Sequence, residues 1–246
     1  MITLEIEGLS KVGMLRTNNE DMVSLGGVLL RDDALSFSIQ LDDEGQFYLL
    51  LSDGMGGHEF GERASQELLE HLGQCFKDDL FRPESIEDDL RFQVKAFSDQ
   101  LNRVAAEEGQ QKPMGCTLTG VVWSQGKVYL LNAGDSRTYR FRNGILRQLS
   151  QDETVRAITG NPFDSKSLLN CIGAGCEGRL HVTDITERLS EGDLLLICSD
   201  GLTDMVPDED IEKVLAESEE PADDLYAMAC RNGGVDNVSI ILAQIS

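Results

Sequence analysis

The sequence predicts an α+β fold: a central antiparallel two-sheet β-sandwich flanked by helices on both sides, in four layers ordered α-β-β-α. Two observations carry this. Strand-like runs come in hairpin blocks, turning at Ser124-Gln125-Gly126-Lys127 and at Arg142-Asn143-Gly144, and Asn-Gly between apolar runs is a strong hairpin signal. The amphipathic helices come in pairs between those blocks and do not alternate with single strands, so the chain is no βαβ repeat. Two sheets with helices outside is the layered solution.

The elements follow in order. Ile2, Leu4 and Ile6 alternate with Thr3, Glu5 and Glu7, a period of two that marks a half-buried strand. Val23 to Leu30 reads as a second strand, followed by polar residues. Phe47 to Leu51 is a short continuous apolar run, the signature of a strand buried on both faces. Phe60, Ala64, Leu68, Leu72 and Phe76 lie at helical spacing, and so do Ile86, Leu90, Val94, Phe97, Leu101 and Val104. Strands return at 118–123, 128–131, 138–141 and 145–149. Residues 150–178 are less regular, broken by Thr159-Gly160-Asn161-Pro162. Further strands are expected at 180–186 and 193–198. Pro207 and Pro221 each open a short helix, to about Leu215 and about Cys230. A last strand is expected at 237–245. No linker or internal repeat interrupts the chain, which reads as one domain over 1–246 with a flap subdomain at about 150–178.

Composition bounds the function. Hydrophobic residues make up 41% of the 246 residues, enough for a sizeable core, and charged residues 26%. Lys+Arg 21 against Asp+Glu 44 gives a net charge of −23. Such a surface repels nucleic-acid phosphate and anionic lipid, so neither is an expected partner. The six cysteines form no C-x-x-C pair and the three histidines are scattered, which argues against a thiol–zinc site. Cys116 and Cys198 lie in strand-like runs and read as small buried hydrophobes. The N-terminus lacks a basic patch followed by an apolar core, and no apolar run nears the ~18 residues of a membrane helix. A soluble, reduced, cytoplasmic protein is expected.

Against this background, aspartates occupy places where none should be. One ends the apolar run at Leu51-Ser52-Asp53-Gly54-Met55-Gly56-Gly57. Others stand at Asn132-Ala133-Gly134-Asp135-Ser136-Arg137, at Cys198-Ser199-Asp200-Gly201, and at Gly233-Gly234-Val235-Asp236-Asn237. Singly, each reads as a tight turn, since Asp-Gly is a common turn dipeptide. Together, all at strand ends, they read as carboxylates delivered to one end of the sheets. A carboxylate buried there without a partner costs several kcal/mol or takes up a proton. Few basic residues lie near, so divalent cations are the simplest compensation. Carboxylates, a glycine carbonyl and water form an all-oxygen set that suits Mg²⁺ or Mn²⁺ and poorly suits zinc or copper. Arg16-Thr17-Asn18-Asn19-Glu20-Asp21 reads alone as a surface salt bridge. Beside the aspartates it reads as a phosphate clamp, because a guanidinium grips phosphate oxygens bidentately.

With these motifs in this order, joined by Gly115-Cys116-Thr117 and Ser199-Asp200-Gly201-Leu202-Thr203, the chain resembles the metal-dependent protein phosphatases, the PPM or type 2C serine/threonine phosphatases, and their bacterial branch in particular. The resemblance runs from about Gly8 to Leu242. It implies hydrolysis of phosphoserine and phosphothreonine on proteins by a metal-activated water, in opposition to a cognate Ser/Thr kinase, by a monomer using two ions of Mn²⁺ or Mg²⁺. Carried over by motif, Asp53, Asp200 and Asp236 would hold the first ion. Asp53, the Gly54 carbonyl and waters held by Glu20 would hold the second, with Asp21 behind them. Asp135 and Asp200 match a third site. Arg16 matches the arginine that binds the substrate phosphate, and Arg16, Glu20, Asp21 and Asp53 are the candidate catalytic residues.

The chain departs from the family in places. Met55 stands where some members carry a histidine, so the general acid is open. His58 is the nearest imidazole and reads either as that acid or as a residue opening the first helix. Asp152-Glu153-Thr154 replaces Asp-His-Ser, and the flap is short. Arg137 and Arg140 read as strand-surface charges or as substrate contacts, and Trp123 reads as core. Other phosphatase chemistries lack their motifs: no cysteine begins Cys-x₅-Arg, no strand ends in Asp-x-Asp, and no P-loop is present. A regulatory pseudo-enzyme would lack a metal carboxylate or the arginine. A plain cation binder would carry an EF-hand-like loop, which is missing.

Overall fold

The computed structural model describes residues 1–56, 59–110, 113–161 and 163–246, and of Glu59 the backbone alone. The chain runs β1 (Ile2–Lys11), β2 (Met22–Leu25), β3 (Val28–Leu30), β4 (Asp33–Leu41), β5 (Gln46–Ser52) and β6 (Gly54–Met55), then α1 (Glu59–Lys77) and α2 (Ile86–Glu107). There follow β7 (Gly115–Cys116), β8 (Leu118–Ser124), β9 (Lys127–Ala133), β10 (Arg137–Arg142), β11 (Ile145–Gln148), α3 (Val155–Thr159), β12 (Ile172–Gly173) and β13 (His181–Asp184). The last elements are β14 (Leu194–Cys198), α4 (Asp200–Thr203), α5 (Asp208–Glu217), α6 (Pro221–Arg231) and β15 (Val238–Ile245).

Two six-stranded antiparallel sheets form the centre. One has the order β11-β10-β14-β15-β1-β4 and the other β13-β9-β8-β5-β2-β3. A small sheet, β12-β7-β6, lies beside them. The four expected layers are present, and the period of two shows how they are held. In β5, Phe47, Leu49 and Leu51 face the opposite sheet, while Tyr48 and Leu50 pack under α1 and α2. In β14, Leu195 and Ile197 face inward, while Leu196 and Cys198 pack with α4, α5 and α6. Each strand therefore buries both faces, which is why these runs are continuously apolar.

Cys116, Cys198 and Trp123 are buried, as expected. The stretch expected as one strand at 23–30 is two, β2 and β3, because Gly26 and Gly27 turn the chain at φ 59° and 96°. The polar stretch after Leu30 holds a strand missed by the sequence reading. In β4, Leu35, Phe37, Ile39 and Leu41 alternate with Ala34, Ser36, Ser38 and Gln40, and β4 pairs along β1 as a half-exposed edge. The strand expected at 180–186 is shorter, its end taken by a 3₁₀ turn at Thr186–Arg188. Within 150–178 the described structure is α3, β12 and a bridge between Thr154 and Leu168. Among the described residues no helix is long and apolar enough to cross a membrane.

Candidate metal centre and active site

The sandwich brings its unusual aspartates to one end. Asp53 follows β5, Asp135 follows β9, Asp200 opens α4 just after β14, Asp236 precedes β15, and Glu20 and Asp21 precede β2. Arg16, Glu20, Asp53, Gly54, Asp135, Asp200 and Asp236 line a single cleft of about 680 Å³, with Lys166 of the flap at its border. Asp21 lies behind it, 1% exposed.

Close backbone approaches let the loops crowd together. A Cβ at Gly54 would sit 2.1 Å from the Gly61 carbonyl oxygen, and one at Gly201 would sit 1.9 Å from the Asn237 carbonyl oxygen. No larger residue fits either place. Hydrogen bonds then fix the loops to one another. Thr117 N–H donates to the Asp53 carbonyl (2.8 Å), and Thr117 Oγ1 accepts from Asp53 N–H (3.1 Å). The same hydroxyl lies 2.7 Å from Ser136 Oγ, which ties the Asp53 turn to the Asp135 turn. Ser199 Oγ donates to Asp21 Oδ2 (2.8 Å). Asn237 Oδ1 accepts from Glu20 N–H (2.9 Å), and Asn237 Nδ2 donates to the Asn18 carbonyl (2.9 Å). The last strand thus holds the Arg16–Asp21 loop in place.

A further tether comes from Arg31, which is 14% exposed in its side chain. Its Nε donates to the Asp21 carbonyl (3.0 Å), and its other nitrogens donate to Glu62, Ser65 and Gln66 of α1. Hydrogen bonds to charged groups are worth about 1.5–3 kcal/mol. Arg31→Ala is therefore expected to destabilise the fold by about 2 kcal/mol and to weaken Mn²⁺ binding by loosening Asp21. Urea unfolding and a calorimetric Mn²⁺ titration check both, and an unchanged unfolding midpoint would contradict the tether.

Electrostatically the cleft is starved of positive charge. Burial, and then the fields of Asp21, Asp200, Asp236 and Asp135, push Asp53 well above the carboxylate range. Burial likewise lifts Asp21 and Asp135 to about 7, each reinforced by Asp200, and Asp200 to about 6, reinforced by Asp204 and Asp236. Burial opposes the charge on Arg16, but its hydrogen bond to Asp236 and the surrounding acids outweigh this and raise it. Arg16 Nη2 donates to Asp236 Oδ2 at 2.7 Å, with side chains 44% and 32% exposed.

This donor set fits hard divalent cations: several oxygens crowded and desolvated, and too few bases to neutralise them. Among the described residues no group of three His, Cys, Asp or Glu side chains is already spaced to ligate one ion. Asp236 is turned to Arg16, whose Nη2 donates to its Oδ2.

Other expected residues fall elsewhere. His58, and Gly57 of the same motif, lie outside the described residues, as does Pro162. Arg137 is no free surface charge, and it lines a pocket that adjoins the cleft and shares Asp135, Lys166 and Asp200 with it. Its Nη2 donates to Asp152 Oδ2 (2.7 Å) and its Nη1 to Tyr139 Oη (2.8 Å). Arg140 Nη1 donates to the Arg188 carbonyl (2.7 Å). Sequence reasoning quoted Thr117 and Asn237 as motif members without giving them work. It had no signal for Arg31 or Lys166, which lie outside every motif and matter only through distant partners. Lys166 forms an ion pair with Asp204.

Comparisons with known proteins give the family. A family model described as protein phosphatase 2C matches residues 27–230. The serine/threonine phosphatase stp of Listeria monocytogenes is 30% identical, over 94% of this chain and 92% of that protein. The S. agalactiae serine/threonine phosphatase superposes with a TM-score of 0.81 at 25% identity, over 99% of this chain and 100% of that one. The catalytic domain of the serine/threonine protein phosphatase PstP, solved with 2 manganese ions, superposes with a TM-score of 0.75 at 30% identity, over 100% and 99%. A family match across most of the chain, a shared two-sheet architecture and the aspartate cleft lead to one conclusion: the chain belongs to the protein phosphatase 2C family.

Proposed function

We propose that this protein hydrolyses phosphoserine and phosphothreonine on other proteins, in the cytoplasm and in opposition to a Ser/Thr kinase, as a monomer with one domain over 1–246 and a flap at about 150–178. The observation that carries the reading is the cleft itself, where Asp53, Asp135, Asp200, Asp236 and Arg16 open onto one space. Asp53, Asp200 and Asp236 would hold one Mn²⁺ or Mg²⁺. Asp53 and the Gly54 carbonyl, with Glu20 through water, would hold a second, and Asp135 with Asp200 a third. When bound, such ions supply positive charge and lower the pKa of water enough to give a nucleophile near neutral pH.

The chain's own residues do the rest. Arg16 is half-exposed and paired only to Asp236 among its described partners, so it can turn to the phosphoryl oxygens and bind two of them. Its charge then stands where negative charge grows during transfer. Asp21, held by Ser199, keeps the Glu20 loop in register. Thr117 fixes the backbone of Asp53, the residue shared between two of the proposed ion sites.

The test is hydrolysis of an aryl phosphate and of a phosphothreonine peptide, with and without Mn²⁺. Both should be cleaved only with the ion. Arg16→Ala should cut kcat/KM by roughly 10- to 100-fold, the worth of a charge-assisted bidentate contact. Failure of Mn²⁺ to elicit any hydrolysis would remove the reading.

A further inference from the structure

Away from the cleft, two thiols stand in a geometry that phosphate hydrolysis does not use. Cys171 Sγ and Cys176 Sγ lie 2.8 Å apart. That is inside the ~3.5–4 Å of ordinary heavy-atom contact and short of only the ~2.05 Å of a sulfur–sulfur bond. Both are free thiols. The chain between them is bent sharply back: Gly173, Ala174 and Gly175 have φ of 78°, 49° and 79°, and Cys176 N–H donates to the Gly173 carbonyl at 2.8 Å.

The neighbouring helix holds that bend. Ser98 Oγ accepts from Gly173 N–H (2.9 Å), Asn102 Oδ1 accepts from Gly175 N–H (2.7 Å), and Asn102 Nδ2 donates to the Cys176 carbonyl (3.0 Å). These bonds pin the backbone of the loop that brings the two cysteines together. Cys171 is buried, while Cys176 is partly exposed.

We propose that Cys171 and Cys176 form a redox-modification site, a dithiol that hydrogen peroxide or another hydroperoxide converts to an intramolecular disulfide. The Cys176 thiolate attacks one peroxide oxygen, the O–O bond breaks, and the departing hydroxide takes a proton and leaves as water. This leaves Cys176 as a sulfenic acid. The Cys171 sulfur attacks the Cys176 sulfur, the S–O bond breaks, and the departing hydroxide takes the Cys171 proton to form a second water. Two electrons pass from the thiols to the peroxide, and an added dithiol returns them. Burial pushes the Cys171 thiol upward, and the less buried Cys176 is the thiol that meets peroxide first.

The bond would staple the end of the flap. Cys171 and Cys176 flank β12, β12 pairs with β7, and β7 pairs with β6, where Gly54 stands. Little backbone movement is needed, so the oxidised chain is expected to remain folded and to melt several degrees higher.

The test is a peroxide titration of the folded chain, read by peptide mass mapping. The expected result is a Cys171–Cys176 cross-link, lighter by two hydrogens, reversed by dithiothreitol, and formed at least tenfold faster than in urea. Cys171→Ser should instead accumulate a dimedone-trappable sulfenic acid at Cys176. Cys176→Ser should form no cross-link at Cys171. Circular dichroism and Mn²⁺-dependent hydrolysis confirm that each variant is folded. Oxidation of Cys176 to sulfinic acid without a cross-link would overturn the proposal. So would pairing of Cys171 with Cys116, or thiols inert at peroxide levels that oxidise glutathione.

Discussion

Asp200→Asn should abolish ion-dependent phosphate release and, at the same time, make the ion-free protein more stable. Asp200 is buried with Asp53, Asp236 and Asp204 around it, and its acid is pushed up to about 6 by burial and by those neighbours. Its charge at neutral pH is therefore a cost to the fold unless a cation offsets it. Asparagine keeps the shape and removes the charge. Loss of one ligand from the proposed ion site should lower kcat/KM by at least ~10³-fold, no less than losing one strong electrostatic contact to a transition state. The same substitution should raise the melting temperature of the chelator-treated protein by several degrees, at about 2–4 °C per kcal/mol for a chain of this size. Asp53→Asn should behave in the same way. A variant that loses activity and also melts lower without ions would point to misfolding and count against the assignment. The assays are steady-state hydrolysis with Mn²⁺ and calorimetry in chelator.

The ion-free protein should also lose stability as pH rises from about 4 to 8, and Mn²⁺ should restore it. The sign follows from the direction of the shifts. An aspartate in the unfolded chain titrates near ~3.9, whereas Asp21 and Asp135 hold their protons to about 7 and Asp200 to about 6. Between those limits the folded chain binds more protons than the unfolded one. Stability is then greatest at the acid end of the window and declines until the folded groups have titrated. Each pKa unit is worth about 1.4 kcal/mol and the three shifts run the same way, so the combined loss is at least several kcal/mol, or about 10 °C and more. Asp89 and Asp184 are shifted downward by their hydrogen bonds to Arg82 and to Thr186. They act only below the window, where stability falls with acid. With saturating Mn²⁺ the decline should vanish or reverse, because a cation binds the ionised carboxylates of the folded form and stabilises by mass action. Melting curves from pH 5 to 8, with Mn²⁺ or chelator, decide it. A flat profile without ions would mean that these carboxylates are not buried together.

Much of the fold and of the candidate site is legible in the sequence. Periodicity located the strands because one physical rule, burial of alternate side chains, acts residue by residue. The run from Phe47 to Leu51 is apolar throughout since both its faces are covered, by α1 and α2 on one side and the opposite sheet on the other. The metal candidates were legible for the converse reason: an Asp at the end of such a run violates the rule, and four violations point to a shared cause. β4 was lost because an edge strand needs only a half-buried face, and its serines resemble a loop. The break in 23–30 was lost because the φ of Gly26 and Gly27 is not written in hydropathy.

What a linear reading supplied, then, was the layered class, the strand ends and the identity of the acids, since each depends on local pattern and residue chemistry. What folding in three dimensions added was proximity. Arg31 grips the backbone of Asp21 across α1, Asn237 reaches back to Asn18 and Glu20, and Cys171 meets Cys176 because α2 pins the loop between them. Contacts between residues tens or hundreds of positions apart depend on how sheets pack and loops close. No spacing rule along the chain encodes that packing.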